Sequence, residues 1–398
     1  MWAGRHVVVG VSGGIASYKS CHLVRRLAEA GAQVDVVLTE GAAEFVRPLT
    51  FEALSGRPVL TSLWVPGAAL DHVRIAASAD LVIVAPATAH LLARAAAGLG
   101  DDLLTTLLLA RSGPVLFAPA MNDAMYAHPA TQTNLALLVS RGAALVGPEI
   151  GPLAEGPSER PGRMSEPETI IGHAARLLNR GSRLAGRKVV VTAGPTREPL
   201  DPVRVVTNRS SGRMGYGLAA AAWERGAEVR LISGPTTLLG PPGVTVHRVE
   251  TTRDMEAAVR SALPEADVLI MAAAPADYRP SAPSEAKRPR DGGGISVAMV
   301  PTEDILAQTS AVRKPGAVMV GFALETGDAV AKGRAKLTRK RLDLVVANDA
   351  LEEGAGFEVE TNRVVILGAD GSEEPVPMGP KRVVAERILD AVERKLGR

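Results

Sequence analysis

Along this chain, apolar runs of about five residues alternate with stretches whose apolar positions return at helical spacing, which predicts strands separated by helices throughout. Strand-like runs fall within Val7–Val9, Gly31–Thr39 and Ala79–Pro86, and helical stretches within Tyr18–Ala30, Glu166–Leu178, Tyr216–Trp223 and Asp254–Leu263. The order then repeats at a spacing of roughly 185 residues. Val7–Gly14 is answered by Val189–Pro195, Gly31–Thr39 by Gly226–Ser233, and Ala79–Pro86 by Ala266–Ala273. The expected fold class is therefore α/β, with two doubly wound Rossmann-like domains whose sheets are mostly parallel. Ligands are expected where strand C-terminal ends meet loops. The domains are placed at residues 1–180 and 186–398, with a linker at about 179–186. Segments 150–165 and 279–294, rich in Gly, Pro, Ser and charge, read as long loops, either functional or disordered.

Composition narrows the class. Apolar residues make up 46 % of the 398 positions but aromatics only 3 %, so the cores must be Val, Leu, Ile and Ala, as in parallel strands covered by helices. A formal charge of +2 makes no electrostatic case for nucleic acid or an anionic membrane. The single cysteine, Cys21, rules out an intramolecular disulfide or a cysteine-based metal cluster, and it fits a reducing cytoplasm. The first strand begins too near Met1 for a secretory leader to be expected, and no apolar run reaches membrane-spanning length.

Candidate chemistry gathers at the two strand-to-turn junctions. Thr192–Gly215 is dense in Gly, Pro, Ser and Asn and leads from the run Lys188–Val191 into a helix of small residues. Free N–H groups and the positive end of the dipole at that helix start form a site for phosphate or carboxylate. In the first half, Gly10–Lys19 fits neither G-x-G-x-x-G nor the Walker A order, yet it can hold a mononucleotide phosphate through Ser12, Gly13 and Gly14.

Four further motifs follow in order: Asp71-His72-Val73-Arg74-Ile75, Ala85-Pro86-Ala87-Thr88, Gly98–Thr105, and Ala118-Pro119-Ala120-Met121-Asn122 running on to Tyr126. Together they resemble the flavin-dependent cysteine decarboxylases that make phosphopantetheine, over nearly all of residues 5–178. That resemblance implies FMN held by Ser12, Gly13, Gly14, Thr39, Pro86 and Thr88. It implies His72 as base or proton relay in oxidation of the substrate thiol, and Asn122 as the holder of the substrate carboxylate. A neutral amide suits that task, because it binds carboxylate without offsetting the charge that loss of CO2 must disperse.

One departure matters. The family's covering loop carries Leu-Ala-Cys-Gly, whereas this chain reads Leu153-Ala154-Glu155-Gly156, with one extra residue before Gly162-Arg163-Met164. The expectation is that Glu155, or Glu159 under a shifted register, replaces that cysteine as proton donor, its pKa raised when the loop closes over an apolar ligand. Cys21, on the first helix, is not placed to substitute. The competing reading is a blocked reductive step, in which an oxidised, decarboxylated enethiol accumulates. Ala89-His90, where relatives carry Asn in second place, is a smaller difference bearing on flavin contacts.

The second half continues with Met271–Arg279, Lys287-Arg288-Pro289-Arg290, Glu303–Leu306, Gly321–Thr326, Lys336 with Lys340, and Val346–Asp349. With Thr192–Gly215 this series resembles the phosphopantothenate–cysteine ligases, and the whole chain is similar to the bifunctional bacterial enzymes of coenzyme A synthesis. The resemblance implies CTP as co-substrate, an acyl-cytidylate and release of pyrophosphate. Lys287 would favour the intermediate, while Asn208 and Arg204 would serve cysteine's attack on it. Ala272, Ala273, Asp277, Lys287, Glu303, Asp304, Ile305, Leu306, Phe322, Lys336 and Lys340 would surround the nucleotide, with Asp277 reaching Mg²⁺. The chemistry asks for such groups, since phosphate oxygens that gather charge must meet Lys and Arg. Lys336 and Lys340 stand four apart on an expected helix, where a solvated face is the alternative.

The resemblance also implies a homo-oligomer: decarboxylase trimers with flavin sites between subunits and paired ligase halves, closing as a dodecamer. The alternative from another class is a flavin-binding regulatory protein that retains ligase activity only. A Rossmann oxidoreductase is weakened by the missing dinucleotide fingerprint in both halves.

Overall fold

The computed structural model describes residues 1–65, 70–287, 296–356 and 359–397, so Arg288, Pro289 and Arg290 of the basic loop lie outside the described residues. The chain divides into two compact units, residues 1–178 and 179–398.

In the first unit the strands are β1 (His6–Val11), β2 (Gln33–Leu38), β3 (Leu81–Ala87), β4 (Val115–Pro119), β5 (Ala144–Leu145), β6 (Glu149–Ile150) and β7 (Pro161–Arg163). The helices are α1 (Ser17–Glu29), α2 (Glu40–Ala43), α3 (Pro48–Ser55), α4 (Asp71–Ser78), α5 (Ala89–Ala97), α6 (Leu103–Ala110), α7 (Asp123–Ala127), α8 (Pro129–Ser140) and α9 (Pro167–Leu178). β1 to β5 pair in parallel in the order β2-β1-β3-β4-β5. The chain thus starts mid-sheet, runs to one edge and crosses to the other, and the loops after β1 and β3 part to leave a crevice. Successive β1 residues serve opposite faces: Val7 and Val9 pack with Leu23 and Leu27 of α1 and Ile170 of α9, whereas Val8 packs with Leu91 of α5 and Leu104 of α6. Burial on both faces is why these strands read as unbroken apolar runs. The stretch expected as a loop at 150–165 is a loop over residues 151–160, closed at its base by the short antiparallel pair β6 and β7.

The second unit has β8 (Lys188–Ala193), β9 (Arg197–Pro199), β10 (Val205–Thr207), β11 (Glu228–Ser233), β12 (Thr245–Arg248), β13 (Val268–Met271), β14 (Tyr278–Pro280), β15 (Met299–Pro301), β16 (Val318–Glu325), β17 (Leu344–Asp349), β18 (Thr361–Gly368) and β19 (Glu373–Pro380). Its helices are α10 (Arg213–Glu224), α11 (Thr252–Ala262), α12 (Ile305–Thr309), α13 (Ala329–Arg339) and α14 (Lys381–Leu396). The main sheet runs β12-β11-β8-β13-β16-β17-β18-β19, parallel as far as β17 and antiparallel beyond it. Chain direction again reverses at the first strand, β8, and opens a crevice beside β13. One face is covered by Leu218 and Ala222 of α10 with Val384 and Ile388 of α14, the other by Met255, Val259, Leu306 and Leu337. α10 presses so closely on β8 that a Cβ at Gly215 would sit 2.5 Å from Ala193 Cβ, so only glycine fits there.

Both sheets are mostly parallel with helices on both faces, the doubly wound α/β class that the apolar runs predict. The segment expected as a linker at 179–186 is docked on the second unit: Leu184 is fully buried and Asn179 Nδ2 donates to the Glu224 carbonyl at 3.1 Å. Among the described residues no helix is long and apolar enough to cross a membrane.

Candidate active sites

A cavity of about 1090 Å³ opens at the C-terminal end of the first unit's sheet. Ser12, Gly13 and Gly14 line it from the turn after β1, Thr39 and Thr88 from the caps of α2 and α5, and Asn122 from the end of β4. Ser12 Oγ donates to the Pro86 carbonyl at 2.7 Å and accepts the Thr88 N–H at 3.0 Å, which locks the ends of β1 and β3 together. Pro86, which follows a cis peptide, therefore shapes the site through its carbonyl without lining the cavity. Ile15, Leu63, Trp64 and Met125 supply apolar wall. Hydroxyl and backbone donors combined with apolar wall suit a ring-bearing phosphate compound.

Asn122 caps α7, its Oδ1 accepting from Ala124 N (2.9 Å) and Met125 N (3.4 Å), and its Nδ2 donates to Glu155 Oε1 at 3.1 Å. Glu155 reaches it from the β6–β7 hairpin and lines the cavity, whereas Glu159 does not. The hairpin is held there by Met121 N donating to the Gly162 carbonyl (3.0 Å) and by Ser158 Oγ donating to Asp123 Oδ2 (2.6 Å). A Cβ at Gly162 would lie 2.6 Å from the Met121 carbonyl oxygen, so this close approach also demands glycine.

His72 stands apart. It lies on α4 and does not line the cavity, and among the described residues its buried Nδ1 has no hydrogen-bond partner; Leu70 and Val73 beside it are exposed. Cys21 is half-buried on α1 and outside the cavity lining, with its thiol pKa raised by burial. His90, at the start of α5, does line the cavity.

In the second unit, Asn208 follows the β9–β10 hairpin, and its Nδ2 donates to the Ala274 (3.1 Å) and Pro275 (2.9 Å) carbonyls, which ties it to the loop after β13. Arg204, in the same hairpin, pairs with Asp201. Lys287 is exposed, and nearby Ser284 N donates to the Leu200 carbonyl (3.0 Å), so the basic loop starts beside that hairpin. Ala272 and Ala273 leave β13, and the backbone N–H of Asp277's neighbour Ala276 is held by Thr196 Oγ1 at 2.9 Å. Asp277 is exposed. Lys336 Nζ donates to the Phe322 carbonyl at 2.5 Å, and burial pulls its pKa below the ordinary lysine value. Lys340, at the C-cap of α13, pairs with Asp304, which also caps α12 by accepting from Ala307 N at 3.1 Å. Neither lysine sits on a solvated face. Glu303 answers Arg253 (3.5 Å) and Arg279 (3.7 Å). Ile305 and Leu306 are buried in the core.

A family model described as Flavoprotein matches residues 1–179, and one described as the DNA/pantothenate metabolism flavoprotein C-terminal domain matches residues 184–396. The coenzyme A biosynthesis bifunctional protein CoaBC of Mycobacterium tuberculosis is 48 % identical over 403 residues, covering 98 % of this chain and 96 % of its own. The protein of the same name from Vibrio vulnificus is 44 % identical over 399 residues, covering 99 % of each. The chain belongs to the CoaBC family. Among solved structures, the C-terminal domain of a CoaBC matches with 38 % identity and a TM-score of 0.47, over 54 % of this chain and 98 % of that one.

Within this CoaBC-family chain, the structure adds partners to segments that the sequence singles out, and brings in Thr236 and Arg248, which carry no motif. Lys19 lines the first cavity and its Nζ donates to the Met164 carbonyl (3.0 Å) and Glu166 Oε1 (2.9 Å). A second cleft of about 620 Å³ lies at the start of α10, where Arg197, Arg213 and Arg248 join Ser210, Ser211 and Thr236. The arginines come from β9, α10 and β12, so only the folded sheet brings them together. That cleft gives the helix start foreseen at Ser210-Ser211-Gly212 three cations.

Proposed function

We propose that the second unit couples 4'-phosphopantothenate to cysteine at the expense of CTP, and that the first converts the resulting 4'-phosphopantothenoylcysteine to 4'-phosphopantetheine and CO2. What carries this reading is the Asn122 amide, fixed by its own cap and aimed beside a cavity built for a phosphate-bearing ring compound, in a chain that matches CoaBC end to end.

In the ligase half, the carboxylate of 4'-phosphopantothenate attacks the α-phosphorus of CTP and expels pyrophosphate. The cysteine amine then attacks the acyl carbon and expels CMP. Lys287 meets the charge gathering on phosphate in the first step, and Arg204 and Asn208 serve the second. Ala272, Ala273 and Phe322 wall the nucleotide, Lys336 and Lys340 face its phosphates, and Glu303 to Leu306 border it through backbone. Among the described residues no three His, Cys, Asp or Glu side chains are grouped to hold a metal. The donor set thus fits Mg²⁺ only as an ion carried in on nucleotide phosphates, with Asp277 as one carboxylate ligand.

In the decarboxylase half, Ser12, Gly13, Gly14, Thr39 and Thr88 hold FMN, and Pro86 supports them by fixing Ser12 through its carbonyl. When bound, the flavin supplies a reversible two-electron acceptor for the substrate thiol. Asn122 Nδ2 orients the substrate carboxylate. Glu155, in the place of the family's cysteine, delivers a proton from solvent after CO2 has left. His72 takes the thiol proton in a neighbouring copy's cavity, since it lies outside its own. The protein works in the cytoplasm as a homo-oligomer, with trimers and dimers combining in a dodecamer.

Reconstitution of the full chain with FMN, CTP, Mg²⁺, cysteine and 4'-phosphopantothenate under anaerobic conditions, with every product followed by mass, tests the proposal. Pyrophosphate, CMP, CO2 and 4'-phosphopantetheine are expected. Protein that stays colourless with added FMN and leaves CTP unconsumed refutes it, and accumulation of an enethiol refutes the part given to Glu155.

A further inference from the structure

We infer that Glu155 is a resident occupant of the substrate-carboxylate position: its side chain holds the Asn122 amide until an incoming carboxylate displaces it, and this exchange sets selectivity among ligands. The inference rests on the proposed role of Asn122 in binding substrate.

Asn122 has little choice of orientation. Its Oδ1 is committed to two backbone N–H groups at the start of α7, which leaves Nδ2 as the donor facing the cavity. An amide donor of this kind accepts a carboxylate, and the chain supplies one of its own, Glu155 Oε1 at 3.1 Å. Glu155 sits in a tight turn closed by Leu153 N to Gly156 O (2.8 Å) and Gly156 N to Leu153 O (3.1 Å). The base of the hairpin is clamped on residues 121–123 by the Gly162 and Ser158 contacts. The backbone under Glu155 therefore stays beside Asn122, and exchange takes place by rotation of the Glu155 side chain. That side chain is exposed, so the displaced carboxylate moves into water without a burial cost.

The energetic consequence follows from like replacing like. A substrate carboxylate gains a hydrogen bond to Nδ2 only by breaking an equivalent one, so it adds little net affinity. A ligand without a carboxylate leaves Glu155 in place. Muting ground-state binding of the group about to be lost is favourable for turnover, because binding shared by ground and transition states does not speed the chemical step.

Two probes on the flavin-loaded full chain test this: 4'-phosphopantothenoylserine, which keeps the carboxylate but has no thiol to oxidise, and 4'-phosphopantetheine, which has no carboxylate. Glu155→Ala is expected to tighten the serine analogue roughly three- to tenfold, the worth of one net hydrogen bond, and to leave phosphopantetheine within about twofold. Glu155→Gln, which keeps an acceptor for Nδ2 but not the charge, is expected to tighten it less than Ala does. An unchanged flavin spectrum verifies folding in each variant. Equal tightening by Ala and Gln would show bulk charge repulsion and overturn the inference, as would an unchanged ratio between the probes. Asn122→Ala separates the two levels. If it leaves serine-analogue affinity intact, the reading of Asn122 itself fails; if it weakens that affinity while Glu155→Ala changes nothing, only the resident-occupant inference fails.

Discussion

Asp201 grips Arg204 through both halves of its carboxylate: Oδ2 accepts from Nε at 2.9 Å and lies 2.7 Å from a terminal guanidinium nitrogen, while Oδ1 accepts the Arg204 backbone N–H at 2.8 Å. The Asp201 side chain has no exposed surface, whereas Arg204 keeps 42 % of its own, so a buried anion aims a cation that stays available. Asp201→Asn keeps the backbone acceptor but loses the charged clamp. Ligase turnover, followed as CTP-dependent pyrophosphate release, should fall about 10–100-fold through misplacement of Arg204, and Asp201→Glu should recover part of it. Unchanged turnover in Asp201→Asn would remove Arg204 from the reaction as proposed.

Lys336 offers a proton count. Burial lowers its pKa, and the phosphates of a bound nucleotide would push it back up. Nucleotide binding should therefore take up protons at pH values between the lowered value of the free protein and the raised value of the complex. Calorimetric titration with CTP in two buffers of different ionisation enthalpy measures that uptake, and Lys336→Gln should abolish it.

The position of His72 outside its own cavity predicts complementation between chains. His72→Asn should lower decarboxylation by about 10²–10⁴-fold while flavin binding persists. Mixing that inactive variant with inactive Asn122→Ala should restore measurable phosphopantetheine formation, because an assembly of both types contains sites with a sound His72 beside a sound Asn122. A mixture that stays inactive after subunit exchange would place His72 at a site within one chain.

Asp35 gives a stability prediction. Burial disfavours its carboxylate, yet hydrogen bonds from Arg57 (2.5 Å) and His6 (2.7 Å) outweigh that and hold its pKa below the usual value. A carboxylate depressed in the folded state contributes its full stabilisation above the unfolded value near 3.9 and loses it as pH falls through the folded one. Asp35→Asn should thus cost roughly 1–3 kcal/mol at pH 7, read as earlier heat release of flavin, and the gap from the unaltered protein should close in strong acid.

The alternating runs made both doubly wound sheets legible, because strands buried on two faces must be apolar throughout and Val7–Val11 or Val189–Val191 could be little else. The β6–β7 hairpin stayed hidden: strands of two and three residues carry no periodicity. β18 and β19 were missed for a different reason, since they add to the sheet edge after the strand-helix alternation has ended. Motif order brought Asn122 and Glu155 under suspicion separately, but their contact depends on the Gly162 carbonyl accepting the Met121 N–H, a three-dimensional fact with no local signature. The burial of Ile305 and Leu306 is likewise decided by packing against the far face of the sheet.

Prolines 375, 377 and 380 on β19 give the last strand of the large sheet an outward border poor in N–H donors. A passing extended chain finds few donors to pair with along such a margin, so recruitment of a further strand is disfavoured at this edge of the sheet.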